Sequence, residues 1–104
     1  MREPIALQTS GSAVPVQAYP ADTHGLYVYR ATNGGDWTLT YGVSVPLGSF
    51  NVNQHAYNAA NSINHLTNWH GSPQRVHADL TAAIYELHDL IHDNGGRLLF
   101  RPTR

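Results

Sequence analysis

His24-Gly25-Leu26-Tyr27-Val28-Tyr29-Arg30-Ala31-Thr32, then Asn33-Gly34-Gly35-Asp36, then Trp37-Thr38-Leu39-Thr40-Tyr41-Gly42-Val43 is the stretch that decides the fold. Both outer runs are rich in β-branched and aromatic residues, which suit a pleated, half-buried surface. The Asn-Gly-Gly-Asp run between them supplies residues that tolerate positive φ, so a hairpin over residues 25–43 is expected. Pairing about Gly34 and Gly35 sets Thr32 opposite Trp37, Arg30 opposite Leu39, Val28 opposite Tyr41 and Leu26 opposite Val43. Side chains alternate along a strand. One face therefore holds Leu26, Val28, Trp37, Leu39, Tyr41 and Val43, with Arg30 at its edge, and the other holds Tyr27, Tyr29, Thr38 and Thr40. Only the first offers contiguous apolar area, and it is the expected core face.

Downstream, Pro46-Leu47-Gly48-Ser49-Phe50 leads out of the hairpin toward a helix expected over residues 52–68, with Asn51 as N-cap and Gln54 at the capping-box position. Its buried stripe is Ala56, Ala59, Ala60, Ile63 and Leu66, whose small alanines allow close approach to a sheet. A second helix is expected over residues 73–93. Ser72 is its N-cap, Pro73 takes the first helical position, and Asn94-Gly95-Gly96 stops it. Val76, Leu80, Ala83, Ile84, Leu87 and Ile91 form its apolar stripe, and Leu98, Leu99 and Phe100 place a last strand at residues 97–101. Upstream, residues 5–9 and 14–19 read as short β pieces. Pro15 and Pro20 each remove a ladder donor, so residues 1–20 are expected as edge strands or an extended arm.

The expected fold class is α+β, in one domain of residues 1–104. It has two layers, an antiparallel sheet of three to five strands, centred on the 25–43 hairpin, packed on two helices. The expected core is Leu26, Val28, Trp37, Leu39, Tyr41, Ile63, Leu66, Leu80, Ile84, Leu87 and Ile91. With 104 residues such a core leaves a small surplus over chain entropy. A homodimer through the Tyr27/Tyr29 face would add to it, and is an expectation.

Composition excludes several classes of function. Charged residues are 12% of the chain, about half the usual share, so the surface must be largely polar and uncharged. The formal net charge of −1 provides no global field for phosphate or anionic lipid. With no cysteine there are no disulfides, thiolate zinc sites, iron–sulfur clusters or cysteine nucleophiles. No apolar run reaches membrane-spanning length, and Met1-Arg2-Glu3-Pro4 lacks a signal-peptide core, so a cytoplasmic location and no membrane contact are expected. There is no phosphate-binding glycine loop and no G-x-S-x-G elbow; Gly34-Gly35 and Gly95-Gly96 read as turn signals. Asp22 or Asp36, a histidine and Ser49 can be combined into a triad, but any short chain with seven histidines permits that. A non-enzyme without cofactor is expected.

Seven histidines outnumber the six arginines, and there is no lysine. His88 and His92 stand at i and i+4, a spacing that can share a metal, with Asp89 in the place of a metalloprotease glutamate. On a helix wheel Asp89 faces away from the core and no third ligand follows. His77, Thr81, Tyr85, His88 and His92 fall on one stripe at the core boundary, where His55, His65 or His70 could meet it. The stripe reads as half-buried polar aromatics or a contact surface, and His88 and His92 remain weak metal candidates.

Three further sets are candidates for binding. Asn58, Asn61, Asn64 and Asn68 drift along one uncharged face of the first helix, either plain solvated surface or a hydrogen-bonding surface for another polypeptide. Tyr27 and Tyr29 beside Thr38 and Thr40 resemble platforms on which single-stranded bases stack, although only Arg30 is close enough to supply charge. Arg97, Arg101 and Arg104 form a small basic cluster, opposed by Asp79, Glu86, Asp89 and Asp93.

Over residues 25–69, the hairpin GLYVYR…WTLTY, the following Leu47-Gly48-Ser49-Phe50 and the alanine-bearing helix before Asn68-Trp69 resemble small, largely uncharacterised proteins of actinobacteria and their phages. That resemblance implies origin more than activity. A fainter similarity is to DNA-binding domains of three strands and a helix, whose sheets carry several basic residues where this hairpin carries Arg30. The expected function is a non-enzymatic interaction module that binds and modulates another protein. Tyr27, Tyr29, Asn58, Asn61, Tyr85 and His88 are its contact candidates. Nucleic-acid binding through Arg30, Thr38 and Thr40 is the alternative, disfavoured by charge, and a histidine–metal protein is the second alternative.

Overall fold

The computed structural model describes residues 5–7, 16–30, 36–42 and 45–101. Six antiparallel strands lie side by side in chain order. They are β1 (Ile5–Leu7), β2 (Val16–Pro20), β3 (Leu26–Arg30), β4 (Trp37–Tyr41), β5 (Val45–Phe50) and β6 (Gly96–Leu98). Between β5 and β6 the chain leaves the sheet as α1 (Asn53–Ser62), α2 (Pro73–Ala82) and α3 (Ile84–Asp93), and returns where Gly96 pairs with Phe50. The expected α+β architecture is what the structure shows. Its sheet extends to six strands through the three-residue pieces β1 and β6 at its two edges.

The two apolar-rich strands of residues 25–43 do form a hairpin, with a different register. Leu26 pairs with Tyr41, Val28 with Leu39 and Arg30 with Trp37. This is two positions from the pairing expected about Gly34 and Gly35, and because side chains alternate with period two, a two-residue shift preserves both faces. Leu26, Val28, Trp37, Leu39 and Tyr41 keep the core side. Thr32, Gly34, Gly35 and Val43 lie outside the described residues.

At the N-terminal side, β2 lies between β1 and β3 and is not an edge strand. Its proline is tolerated because Pro20 ends the strand and the next bond to β3 is donated by the Ala21 amide, to the Leu26 carbonyl at 2.8 Å. Thr9, Val14 and Pro15 lie outside the described residues. Between β4 and β5 the register shifts at Leu39/Thr40, so Leu47 bulges from the ladder. Its carbonyl accepts from the Leu99 amide at 2.9 Å and the Phe100 amide at 3.3 Å, tying the end of the chain to β5 beyond β6. The last strand thus begins at Gly96, one residue before the expected 97–101 segment, and gives way to these two bonds after Leu98.

The helices differ from expectation at their ends. Val52, not Asn51, is the N-cap of α1, and no side chain caps it. The helix stops at Ser62 although the apolar spacing continues to residue 68, because the asparagine-rich tail forms turns. There the Leu66 amide donates to the Ile63 carbonyl at 3.1 Å, and the Trp69 indole donates to the Asn64 carbonyl at 3.1 Å. Ser72 caps α2 as expected, its hydroxyl accepting from the Arg75 amide at 3.2 Å, with Pro73 in the first turn. Ser72→Ala is expected to cost about 1 kcal/mol, read as a lower urea midpoint with unchanged slope; an unmoved midpoint would show that this cap carries no weight.

The expected 73–93 helix is divided at Ala83, where φ is −103° and ψ 27°. No glycine or proline is there. The Thr81 hydroxyl donates to the His77 carbonyl one turn back at 2.9 Å, a back-bond that bends helices. Gly95, at φ +81°, ends α3 in the left-handed conformation that only glycine adopts without strain.

One core joins the sheet to the helices. Leu26, Val28, Leu39, Leu47 and Phe50 pack against Ala56, Ala59, Ala60, Ile63, Val76, Leu80, Leu87 and Ile91, all buried. Trp37, Tyr41, Leu66 and Ile84, also expected inside, are half-buried and pack against this cluster. Leu47, Phe50, Trp69 and Phe100 are core residues that the periodicity did not single out. Thr23, in the turn between β2 and β3, sends its hydroxyl to the Ala60 carbonyl at 3.2 Å and pins that turn to α1.

Two glycines let these layers close. A Cβ on Gly48 would stand 3.0 Å from Ile91 Cγ2, and one on Gly96 would overlap the Phe50 ring. Gly96 is therefore not the turn residue its neighbour suggested. It is the first residue of β6, with the Phe50 ring lying where a side chain would be.

Candidate functional site

The helices cover one face of the sheet. On the other, Tyr27 and Tyr29 are half-buried and pack over Ala18, which is fully buried beneath them. Register continues this face across the sheet: Ala18 pairs with Tyr29, Tyr29 with Thr38, Thr38 with Ser49 and Ser49 with Arg97. The Ser49 hydroxyl donates to the Asp36 carboxylate at 3.2 Å. The result is an aromatic and hydroxyl-bearing surface, with the exposed Arg97 toward one edge.

The residues expected to touch nucleic acid do not come together. Arg30 pairs with Trp37 and so lies on the helix-side face, its guanidinium 5.7 Å from the Trp37 ring centre. Thr38 and Thr40 belong to the opposite face, because neighbouring positions of a strand alternate. Thr40 is moreover only 2% exposed. Its hydroxyl is 3.2 Å from the Gly42 carbonyl and 3.1 Å from the Val45 carbonyl, so it braces the turn between β4 and β5 and cannot serve as a surface contact.

The other candidates lie on the helix layer. Asn58 and Asn61 are exposed on α1, and the Asn58 side-chain oxygen accepts from Gln54 at 3.1 Å. Tyr85, near the start of α3, is 86% exposed. His88 and His92 are exposed one turn apart, their rings near-parallel with centres 6.0 Å apart, and Nδ1 of His88 is 3.3 Å from the Asp89 carboxylate. Asn58, Asn61, Tyr85 and His88 therefore share a layer with one another and not with Tyr27 and Tyr29.

The expected histidine stripe does not converge. The helix is interrupted at Ala83, between His77 and the His88/His92 pair, and His77 packs on Phe100, ring centres 4.9 Å apart. His65 meets Glu86 at 2.5 Å, and His24 stacks on His70 at 4.1 Å. Among the described residues no three histidines or carboxylates are grouped as metal ligands, and His88 and His92 gain no third ligand. No buried side-chain nitrogen or oxygen among them lacks a hydrogen-bond partner. The arginines also disperse: Arg97 follows the sheet, Arg101 lies beyond β6, and Arg104 is outside the described residues.

One feature had no signal in the sequence. A groove opens between the β4–β5 end of the sheet, α2 and the segment after β6, with His77 in its wall. Its described lining comes from Tyr41, Val45 and Pro46, from α2, and from Leu99, Phe100 and Arg101, which no local periodicity relates.

No protein family, no curated protein and no solved structure matches the chain. The fold and surfaces define a small α+β sheet-and-helix domain with one aromatic sheet face left open by its described helices. Among the described residues, no helix is long and apolar enough to cross a membrane.

Proposed function

We propose that the chain is a non-enzymatic interaction module, a small cytoplasmic accessory protein of the actinobacterial or phage kind, that binds and modulates another protein through the open sheet face. The observation that carries this reading is the one-sided burial of the sheet. The helices pack on Leu26, Val28 and Leu39, while Tyr27 and Tyr29 stay half-buried over Ala18 on the other side. Tyrosines supply large, stiff contact area and are enriched where partners bury most energy. Few charges surround them, which favours a polypeptide over a phosphate backbone. Asn58, Asn61, Tyr85 and His88 would belong to a second contact area on the helix layer.

The test is a pull-down from host lysate, run with and without nuclease, with the parent chain and the double variant Tyr27→Thr/Tyr29→Thr. Threonine keeps the strand preference while removing the rings. The expected result is a discrete protein that survives nuclease and whose yield falls at least tenfold with the variant, as loss of two central tyrosines implies. Material lost entirely after nuclease would replace this reading with nucleic-acid binding, and equal yield with the variant would remove the sheet face. Light scattering of the parent alone distinguishes a self-associating chain.

A further inference from the structure

The chain contains two Asn-Gly pairs, Asn33-Gly34 and Asn94-Gly95, and the fold imposes the second. Asn94 is the C-cap of α3, and Gly95 follows it at φ +81°. Any side chain at Gly95 would be strained, and its Cβ would stand 3.2 Å from His55 Nδ1. The position therefore requires glycine. An asparagine followed by glycine is the least hindered arrangement for attack of the backbone nitrogen on the side-chain carboxamide, because no Cβ shields that nitrogen. Ending α3 and returning the chain to the sheet thus builds a chemically labile pair into the junction before β6.

In the folded domain both reacting groups are held. The Asn94 carboxamide nitrogen donates to the Leu90 carbonyl at 2.7 Å and to the Ser62 hydroxyl at 3.3 Å. The side chain thus reaches back one turn and across to the last residue of α1. Ser62 accepts there, because its own proton goes to the Asn58 carbonyl at 3.0 Å. The Gly95 amide donates to the His92 carbonyl at 2.9 Å. Attack needs the Gly95 nitrogen, stripped of its proton, in line with Asn94 Cγ at about 3–3.5 Å. Reaching that arrangement means giving up the bonds to Leu90, Ser62 and His92.

We propose that Asn94 is a modification site gated by the fold: bonded to Leu90 and Ser62 it stays an amide, and once the α3–β6 junction opens it deamidates to a product that cannot re-form the lock. The Gly95 nitrogen loses its proton to water and bonds to Asn94 Cγ, and the side-chain nitrogen leaves as ammonia. Water then opens the resulting cyclic imide at either carbonyl, giving aspartate or an isoaspartyl linkage. Water is consumed, ammonia is released and nothing is oxidised or reduced. Local opening supplies the reactive state, since β6 is a three-residue strand at the sheet edge. The aspartate carboxylate faces the Leu90 carbonyl and the Ser62 oxygen with no proton to give either. It also adds negative charge beside Asp93, at the negative end of the α3 dipole. The isoaspartyl form lengthens the main chain by a methylene just before Gly96, which has to sit against the Phe50 ring. Both products weaken the hold of β5 on β6. This site uses neither Tyr27 nor Tyr29 and is independent of the sheet-face reading.

The full chain is incubated at mildly alkaline pH in buffer and in denaturing guanidinium, and peptide mapping by mass spectrometry follows Asn94 separately from Asn33. In buffer Asn94 is expected to deamidate at least about tenfold more slowly than in guanidinium, the scale of one to two hydrogen bonds lost before attack. Ser62→Ala keeps a good helix former at the end of α1. It is expected to raise the Asn94 rate in buffer about threefold or more and to leave the rate in guanidinium unchanged. Asn94→Asp carries the product's carboxylate. It is expected to lower hydrogen-exchange protection at least about threefold at the Leu99 and Phe100 amides, which the Leu47 carbonyl holds in the parent. The proposal is overturned if Asn94 reacts equally fast in buffer and in guanidinium, or if it does not react in guanidinium. It is equally overturned if Ser62→Ala leaves the rate in buffer unchanged, or if Asn94→Asp keeps full protection at Leu99 and Phe100.

Discussion

Phe50→Ala is expected to remove about 3–5 kcal/mol of folding stability, the range for truncating a buried aromatic ring. Phe50 is 1% exposed and ends β5, where it pairs with both Trp37 and Gly96. Its ring lies over Gly96 and reaches the space beside Gly48, so it fills the gap two glycines leave between the sheet and α3. A cavity there sits under a helix and cannot collapse without moving it. A domain of this size holds roughly 5–15 kcal/mol in all, so the variant should be marginal at 37 °C. Urea denaturation at 25 °C checks this: the midpoint should fall steeply with little change in slope. A loss below about 1 kcal/mol would show that the ring is not a core element.

Gly96→Ala is the second large effect, expected to cost about 2–3 kcal/mol by overpacking. The added methyl would overlap three atoms of the Phe50 ring. Positive φ among the described glycines belongs to Gly25, Gly42 and Gly95, so backbone strain plays no part at Gly96 and the cost is space alone. That makes the two positions one coupled unit. Phe50→Leu combined with Gly96→Ala should be more stable than the sum of the single losses by at least about 1 kcal/mol, because the smaller side chain vacates the volume the methyl needs. Strict additivity in the same urea experiment would break the assignment of Phe50 to the space above Gly96.

Much of this was legible from residue patterns. The alternation in Leu26-Tyr27-Val28-Tyr29 and Trp37-Thr38-Leu39-Thr40 identified which side chains share a face, and that assignment survived a two-residue register shift. Ser72, Pro73 and Gly95 marked the start of α2 and the end of α3 correctly, because capping is satisfied by a few neighbouring atoms. Where local signals misled, a tertiary partner or a competing hydrogen bond explains it. Gly96 read as part of a turn, yet it is held open for a ring from position 50. Apolar spacing carried the first helix to residue 68, yet the asparagine-rich segment turns once Trp69 bonds back to Asn64. A continuous stripe joined His77 to His92, yet the helix is interrupted at Ala83, two residues past the Thr81 back-bond to His77.

The candidate sites divide along the same line. Tyr27 and Tyr29 could be paired on one face from spacing alone, since the pleat makes that a local property. Removing Arg30 from their company follows from the same rule, applied once the pairing is known. What local pattern could not supply is which face the helices leave open, that Thr40 turns inward to brace its hairpin, and that His77, Phe100 and Arg101 meet at Val45 to form a groove. Periodicity is set by the geometry of successive residues, whereas a cavity or an uncovered face exists only in the packing of segments far apart in the chain.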